Sequence, residues 1–334
     1  MPRGPCVGEG GGVTSLLLPP SAVGPVQVVR RRDQLDRVDD RRLARSLRAG
    51  EWVRVTADVF ARGAEWARAT PLERHRVRVV EIAHRLHAPG VLSHSSAAAW
   101  WGIDLLGAWP AVLEVTTARA SGGRSRGDVR RHAFGLEGVE RVPFGRHEIT
   151  TPAQTALDLA RSLPFAKAVA AVDQAVWTGR PGGPLTTIEE IEELHREAPR
   201  RGNVRARRVL GFASTLAANV RESELRVLVM ALGFPPPRVQ ERRVLRSGRL
   251  VFGDLYFPED DHWLELDGRG KYLSPQFGPE RDPGLIVIDE KNRENEIRRE
   301  VRGFSRLEPA DLDDPSRVYD ILTGDGLRSR LPRP

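Results

Sequence analysis

The chain has 334 residues, and its 52 lysines and arginines against 45 acidic residues give a formal net charge of +7. Because domains usually run about 100 to 200 residues, this length predicts two or three domains rather than one small core. The basic balance favours a polyanionic partner but is equally consistent with a plain basic surface.

Cysteine usage and hydrophobic patterning exclude several classes of protein. A single cysteine, Cys6, allows neither a disulfide framework nor a thiolate zinc site. The apolar run from Val13 to Leu18 is shorter than a usual signal-peptide core, and no later run approaches the ~20 apolar residues of a membrane span. We therefore expect a soluble, cytoplasmic protein with no membrane partner. Residues 1–24 are rich in Gly and Pro and are expected to be disordered.

Residues 25–66 have the element order of a small winged helix. Asp39 or Asp40 can cap a helix that ends at Gly50. A hairpin with alternating apolar and polar residues follows at 52–56 and 59–61. Away from its apolar face the helix carries a basic stripe at i, i+4 and i+7, formed by Arg41, Arg45 and Arg48. This stripe is either a DNA-phosphate contact or a solvated helix face.

The segment from Asp40-Arg41-Arg42-Leu43 through Leu47-Arg48-Ala49-Gly50-Glu51-Trp52-Val53-Arg54-Val55 resembles the N-terminal domain of AbiEi-family antitoxins. The resemblance implies a DNA-binding winged helix that acts as a transcriptional regulator, with a toxin protein as a further candidate partner. Ala57 and Asp58 stand where the family usually has Arg and Gly in the wing turn. An acidic residue there would repel a phosphate backbone.

Residues 67–215 predict a mixed α/β middle region. Helical patterns run from Leu72 to Leu86, after Ser93 up to Gly102, and from Thr151 to Trp177 with a break at Pro164. His94 lies among serines, but there is no Gly-x-Ser-x-Gly elbow, so we interpret His94 as a cap or packed core residue rather than a catalytic base. The basic run 200–208 is either a positively charged connector or a solubilising segment.

Residues 216–323 predict a helix, three strands and a second helix, followed by a tail at 324–334. Asp254 falls in the second strand and Glu265 in the third, both within apolar stretches. A buried carboxylate is costly unless it is paired, hydrogen-bonded or bound to a cation. Together with Glu222 on the first helix, they predict an oxygen-ligand site for Mg²⁺, which would polarise a scissile phosphate and activate a water.

The same domain resembles the PD-(D/E)xK nuclease superfamily, and more closely the actinobacterial proteins related to very-short-patch-repair endonucleases that carry it behind an AbiEi-like N-terminus. The matching motifs are Glu222-Ser223-x-x-Arg226, Gly253-Asp254-Leu255-x-Phe257, Glu265-x-Asp267-Gly268-x-x-Lys271-Tyr272 and Glu290-Lys291-x-Arg293-Glu294, with Arg306 and Ala310-Asp311-Leu312. The resemblance implies that Asp254 and Glu265 bind the metal, that Glu222 completes its shell, and that a lysine orients the attacking water.

Asp267 occupies the position two residues after Glu265 where the superfamily has its lysine. The cation then has to come from Lys271 or from Lys291, and we favour Lys291. Asp267 is either a further metal ligand or the turn residue of an Asp-Gly pair. In the alternative interpretation the nuclease fold is degenerate, and Glu290, Glu294 and Arg298 form ordinary ion pairs on a helix surface.

The sequence as a whole predicts a multidomain α+β or α/β protein. It comprises an N-terminal winged helix, a mixed α/β middle region and a C-terminal restriction-endonuclease-like α/β domain. The favoured function is that of a metal-dependent DNA endonuclease. The alternative is a non-catalytic DNA-binding regulator of the antitoxin type. The endonuclease requires that these carboxylates bind Mg²⁺ and that the protein cleaves DNA. The regulator requires only that the protein binds DNA.

Overall fold

The computed structural model describes residues 26–31, 40–118, 125, 127–197, 201–267 and 283–334, apart from the side chains of residues 40 and 283–288. The chain is a mixed α/β protein and divides into two compact units. The first unit contains Trp109–Thr155 and the chain up to Trp100, and the second contains Trp101–Ala108 and Ala156–Pro334. This division cuts the predicted middle region at Thr155. Within the described ranges, no helix is long and apolar enough to cross a membrane.

The first unit begins with a three-stranded antiparallel sheet and its helices. The elements are β1 (Val28–Arg30), α1 (Asp40–Arg48), β2 (Trp52–Thr56), β3 (Val59–Arg62), α2 (Gly63–Arg68) and α3 (Pro71–His84), and the strand order is β1-β3-β2. Gly50 has a φ of +72°, which confirms the predicted left-handed end of α1. The predicted helix followed by a hairpin is confirmed, whereas β1 and α2 are additions that the sequence did not reveal.

A five-stranded mixed sheet completes the first unit. Its strands are β4 (Val91–Leu92), β5 (Leu113–Thr116), β6 (Val129–His132), β7 (Arg141–Phe144) and β8 (His147–Thr150), in the order β6-β5-β4-β8-β7, and α4 (His94–Trp101) follows β4. His94 is buried and stacks on His132 with ring centroids 3.6 Å apart. The interpretation of His94 as a packed core residue is confirmed.

Glu114 is a buried carboxylate that ties β5 to the start of α4. It accepts hydrogen bonds from the backbone N of Ser95 at 3.0 Å and from the Ser95 hydroxyl at 2.5 Å, and His132 Nε2 lies 3.2 Å away. Burial opposes its charge, but the hydrogen bonds with His132 and Ser95 hold the pKa of Glu114 below its ordinary value. This carboxylate therefore has a structural reason to be buried.

Four consecutive helices, the first of which starts at the end of the first unit, lead into the α/β domain of the second unit. The helices are α5 (Pro152–Ser162), α6 (Phe165–Val176), α7 (Ile188–Glu197) and α8 (Asn203–Leu210). The domain consists of α9 (Val220–Ala231), β9 (Arg238–Val244), β10 (Leu250–Phe257), β11 (His262–Leu266), α10 (Pro283–Arg298), β12 (Gly303–Leu307), a 3-10 turn (Asp311–Asp313) and α11 (Pro315–Gly324). The predicted order of helix, three strands and helix is confirmed.

The sheet of the second unit has the order β12-β11-β10-β9. β9, β10 and β11 form an antiparallel meander, and α10 is the crossover that brings β12 parallel to β11. Successive residues of β11 enter different cores: Leu264 packs with residues of α9 and α11, and Trp263 packs with Ile297 of α10. Helices therefore cover both faces of this sheet, with α9 and α11 on one face and α10 on the other.

Candidate functional site

A buried ion pair holds α9 against α6 and so positions Glu222. Arg226 Nη2 lies 2.8 Å from Asp173 Oδ2, and the Ser223 hydroxyl donates to the same oxygen at 2.7 Å. The side chain of Asp173 is 0% exposed. The Ser223 and Arg226 of the Glu222-Ser223-x-x-Arg226 motif thus have a structural role, since they anchor the helix that carries Glu222.

Glu222 and Asp254 form the first of two carboxylate centres, and Gln240 bridges them. The Gln240 amide nitrogen donates to Glu222 Oε2 at 3.1 Å and lies 3.3 Å from Asp254 Oδ1. Glu222 also accepts from the backbone N of Ala218 at 2.9 Å, and Asp254 accepts from the backbone N of Leu266 at 2.8 Å. Both carboxylates are more than nine-tenths buried. The structure therefore brings this predicted pair together, through an amide that the sequence did not identify.

The backbone of Gln240, which contacts both carboxylates, is unusual. It has a φ of +52°, a left-handed conformation that residues with a Cβ seldom adopt. It lies opposite Asp254 in the register that pairs Gly253 with Glu241 and Leu255 with Val239. No pattern in the sequence signals such a conformation at an ordinary strand position.

Glu265 forms the second centre, on the face that α10 covers. Arg293 binds it with both terminal nitrogens: Nη1 donates to Oε1 at 2.8 Å and Nη2 donates to Oε2 at 2.7 Å. The Trp263 indole nitrogen adds a third hydrogen bond, to Oε1 at 3.0 Å. A Cβ on Gly253 would lie 2.4 Å from the Trp263 ring, which explains why the motif has glycine there. This geometry is a buried bidentate guanidinium–carboxylate pair.

The remaining motif residues extend the Glu265 centre into an ionic network. Arg293 also donates to Glu290 at 2.6 Å, while Arg306 Nη1 lies 2.7 Å from Glu294 Oε2 and its Nε lies 3.4 Å from Asp267 Oδ2. Burial opposes the charge of Arg293, but its hydrogen bonds to Glu290 and Glu265 outweigh burial and raise the pKa of Arg293. Residues far apart in the sequence thus meet in one network of alternating charge.

Among the described residues, the cation that binds Glu265 is an arginine rather than either of the two lysines nominated for the metal site. Lys271 lies outside the described residues, and Lys291 is exposed on α10. Arg293 takes that place, a residue that the motif contained but to which the sequence analysis assigned no role. The helical spacing predicts this role for Arg293, because Arg293 lies four residues before the buried Ile297 and therefore on the same face of α10. Lys291 lies six residues before Ile297 and therefore on a different face.

The described structure does not gather Glu222, Asp254 and Glu265 around one position. Glu265 is bonded from the α10 side, whereas Glu222 comes from α9 on the other face, and each of the three already accepts hydrogen bonds from protein donors. In the part of the chain that the structure describes, no three histidine, cysteine or acidic residues are grouped to hold one metal ion. Metal binding by these residues therefore stays a prediction.

The basic stripe of the first unit keeps its predicted arrangement. Arg41, Arg45 and Arg48 are all exposed on α1, while Leu43, Ala44 and Leu47 are partly buried. The neighbouring hairpin turns at Ala57 and Asp58. The helix therefore presents three guanidinium groups to solvent.

No protein-family model matches the chain. Two uncharacterised proteins of Mycobacterium tuberculosis, from strains CDC 1551 / Oshkosh and ATCC 25618 / H37Rv, are each 37% identical to it over 111 residues, which is 33% of this chain and 39% of either relative. The chain thus spans well under half the length of these curated relatives. A crystal structure of the RV2827C protein from Mycobacterium tuberculosis has 17% sequence identity and a TM-score of 0.32, and the match covers 66% of this chain and 85% of that one.

Proposed function

We propose that this chain is a DNA-binding protein of regulatory type, whose nuclease-like C-terminal domain binds rather than cuts. The observation that carries the proposal is the stripe of Arg41, Arg45 and Arg48, exposed on one side of α1. Guanidinium groups repeated on one side of a helix suit the phosphates of a DNA backbone, and binding of this kind releases counterions. The net charge of +7 supports a polyanionic partner.

The choice of binding over cleavage rests on Arg293. Its guanidinium donates to both oxygens of Glu265, one of the two carboxylates that the nuclease resemblance would assign to the metal. Displacing it would leave a buried carboxylate to be neutralised by an ion alone, and breaking a buried pair is costly. An arrangement of this kind favours a structural role for Glu265.

The test measures binding to a duplex oligonucleotide by fluorescence anisotropy at several salt concentrations. Replacing Arg41, Arg45 and Arg48 together by Ala should weaken binding and reduce the salt slope by about 0.9 for each phosphate that is no longer neutralised. A matched control replaces Arg299, Arg302 and Arg328 by Ala, which removes the same charge from exposed positions in the second unit. Equal binding by wild type and the α1 triple variant would contradict the role of α1, and absence of DNA binding by wild type would contradict the proposal.

A metal-dependent endonuclease is the second candidate, and the Gln240 bridge is what favours it. One amide nitrogen lies within 3.3 Å of oxygens on both Glu222 and Asp254, so a small shift of that side chain would leave two carboxylates facing one position. Carboxylate oxygens are the ligands that Mg²⁺ prefers. This candidate requires cleavage of DNA with Mg²⁺ or Mn²⁺ that is lost in both Asp254→Ala and Glu265→Ala.

A further inference from the structure

The β9–β10 hairpin exposes apolar side chains on one face, near the edge of the sheet, where none of the described helices covers them. Val244, Leu250 and Phe252 are 55%, 44% and 51% exposed, respectively. Leu250 pairs with Val244 and Phe252 pairs with Arg242, so these four side chains lie on one face of the two strands. We call them the hairpin surface. β9 is also the edge strand of the sheet.

The other face of the same hairpin packs in the hydrophobic core. Val251 and Leu245 pack with Trp263, and the Arg243 guanidinium lies over the rings of Tyr256 and Trp263 at 4.7 and 5.4 Å. The alternation along β9 and β10 thus separates a packed face from the exposed one. An exposed phenylalanine flanked by two exposed aliphatic side chains on a sheet face is a common feature of binding surfaces.

The hairpin itself is rich in arginine. Between residues 238 and 249 the hairpin has five arginines and one acidic residue, Glu241. Arg243 belongs to the packed face and Arg249 is paired with Asp289, whereas Arg242 and Arg246 are exposed. Arg242 lies directly beside Phe252 in the strand register. The surface therefore combines one aromatic ring with guanidinium groups.

The tip of the hairpin is held in place by acidic residues of α10 and the turn after it. The backbone N of Arg246 donates to Glu300 at 2.7 Å, and the Ser247 hydroxyl donates to Glu296 at 2.6 Å. These bonds fix the turn, so the surface is pre-organised and less conformational entropy is lost when a ligand binds.

We propose that the hairpin surface binds single-stranded nucleic acid, with an unpaired base stacked on Phe252 and the neighbouring phosphates on Arg242 and Arg246. An accessible aromatic ring on a sheet face stacks unpaired bases, and flanking arginines follow the backbone. A second copy of this chain fits poorly, because it would bring arginines against arginines. The inference rests on the proposal that the chain binds nucleic acid, but it concerns a different surface from α1.

The experiment measures binding of the full chain to a short single-stranded oligonucleotide and to a duplex by anisotropy. Phe252→Ala should weaken single-strand binding about 5- to 150-fold, as expected when one base no longer stacks, and should leave duplex binding unchanged. Phe252→Trp should retain binding, because it keeps an aromatic ring. Arg242→Ala should reduce the single-strand salt slope by about 0.7, whereas Arg299→Ala, an equal charge change at an exposed position on α10's side of the domain, should not.

Several results would overturn the inference. One is single-strand binding by Phe252→Ala equal to that of wild type, and another is no single-strand binding by wild type. Equal loss of single-strand and duplex binding in Phe252→Ala would mean contact with the backbone rather than with bases. A change of oligomeric state in that variant, measured by light scattering, would assign the surface to a second copy. If the α1 triple variant loses duplex binding but keeps single-strand binding, the result concerns the proposed function and does not affect this inference.

Discussion

The two carboxylate centres of the C-terminal domain are both buried but are neutralised in different ways. Glu265 is paired with the guanidinium of Arg293, which donates two hydrogen bonds and a full positive charge. Glu222 and Asp254 share the neutral amide of Gln240. Among the contacts of the described residues, Glu265 has an ion pair, whereas Glu222 and Asp254 accept hydrogen bonds from amide side chains and backbone N–H groups.

The difference shows which centre could change its ligands. A buried ion pair resists separation, because either partner left alone is an uncompensated charge. A neutral amide is replaced at lower cost, since only hydrogen bonds are lost. We therefore expect Glu265 to be fixed by the fold, and any exchange of a ligand or cation to take place at Glu222 and Asp254.

Replacing Arg293 by Met should have the largest effect on stability. Glu265 would remain buried at 6% exposure without its charge partner, and the expected loss is about 3 to 5 kcal/mol in the free energy of unfolding. Urea unfolding followed by tryptophan fluorescence measures it. Adding Glu265→Leu should restore much of the loss, because the unpaired charge is then removed as well. If Arg293→Met alone has a free energy of unfolding within about 1 kcal/mol of wild type, the importance assigned to this pair is contradicted.

Replacing Gln240 by Ala should have an intermediate effect. Glu222 and Asp254 keep their backbone donors, Ala218 and Leu266, so only the shared amide is lost, at about 1 to 3 kcal/mol. Glutamine and alanine both carry a Cβ, so the strain of the φ of +52° is common to both and the difference reports on the amide. If Gln240→Ala lowers the free energy of unfolding as much as Arg293→Met does, the amide is as important as the ion pair, and the contrast between the two centres is contradicted.

Replacing Arg221 by Ala should have the smallest effect and serves as the surface control. Arg221 lies 2.7 Å from Glu224 one turn along α9, but its side chain is 40% exposed. Exposed pairs at this spacing contribute only about 0.2 to 0.5 kcal/mol, and the loss of a cation near a helix N-terminus offsets part of that. The same unfolding experiment should place this variant within about 0.5 kcal/mol of wild type. A larger loss would show that α9 depends on surface charge as well as on its buried anchor to Asp173.

Much of the domain's backbone could be predicted from the sequence, because its apolar residues recur at clear periods. The helix, three strands and second helix predicted within 216–323 are observed as α9, β9 to β11 and α10. The proximity of Glu222 and Asp254 was also predicted. These predictions depend only on the spacing of residues along the chain, which is visible in the sequence itself.

The cation at Glu265 and the bridge at Gln240 could not be predicted in the same way. The resembling superfamily has a lysine two residues after this glutamate, whereas here an arginine of α10 binds Glu265 and comes close to it only when the sheet and the helix pack. Gln240 depends on a left-handed backbone within a strand. The hairpin surface needed the register of β9 with β10, since only pairing shows that Phe252 and Arg242 lie side by side.

Incubation of the purified chain with single-stranded and duplex DNA in the presence of Mg²⁺ or Mn²⁺ tests the central claim most directly. We predict that the DNA is bound and stays intact, and that Asp254→Ala binds it as wild type does. Metal-dependent cleavage that disappears in both Asp254→Ala and Glu265→Ala would contradict the claim, because the domain would then cut DNA with these carboxylates rather than only bind it.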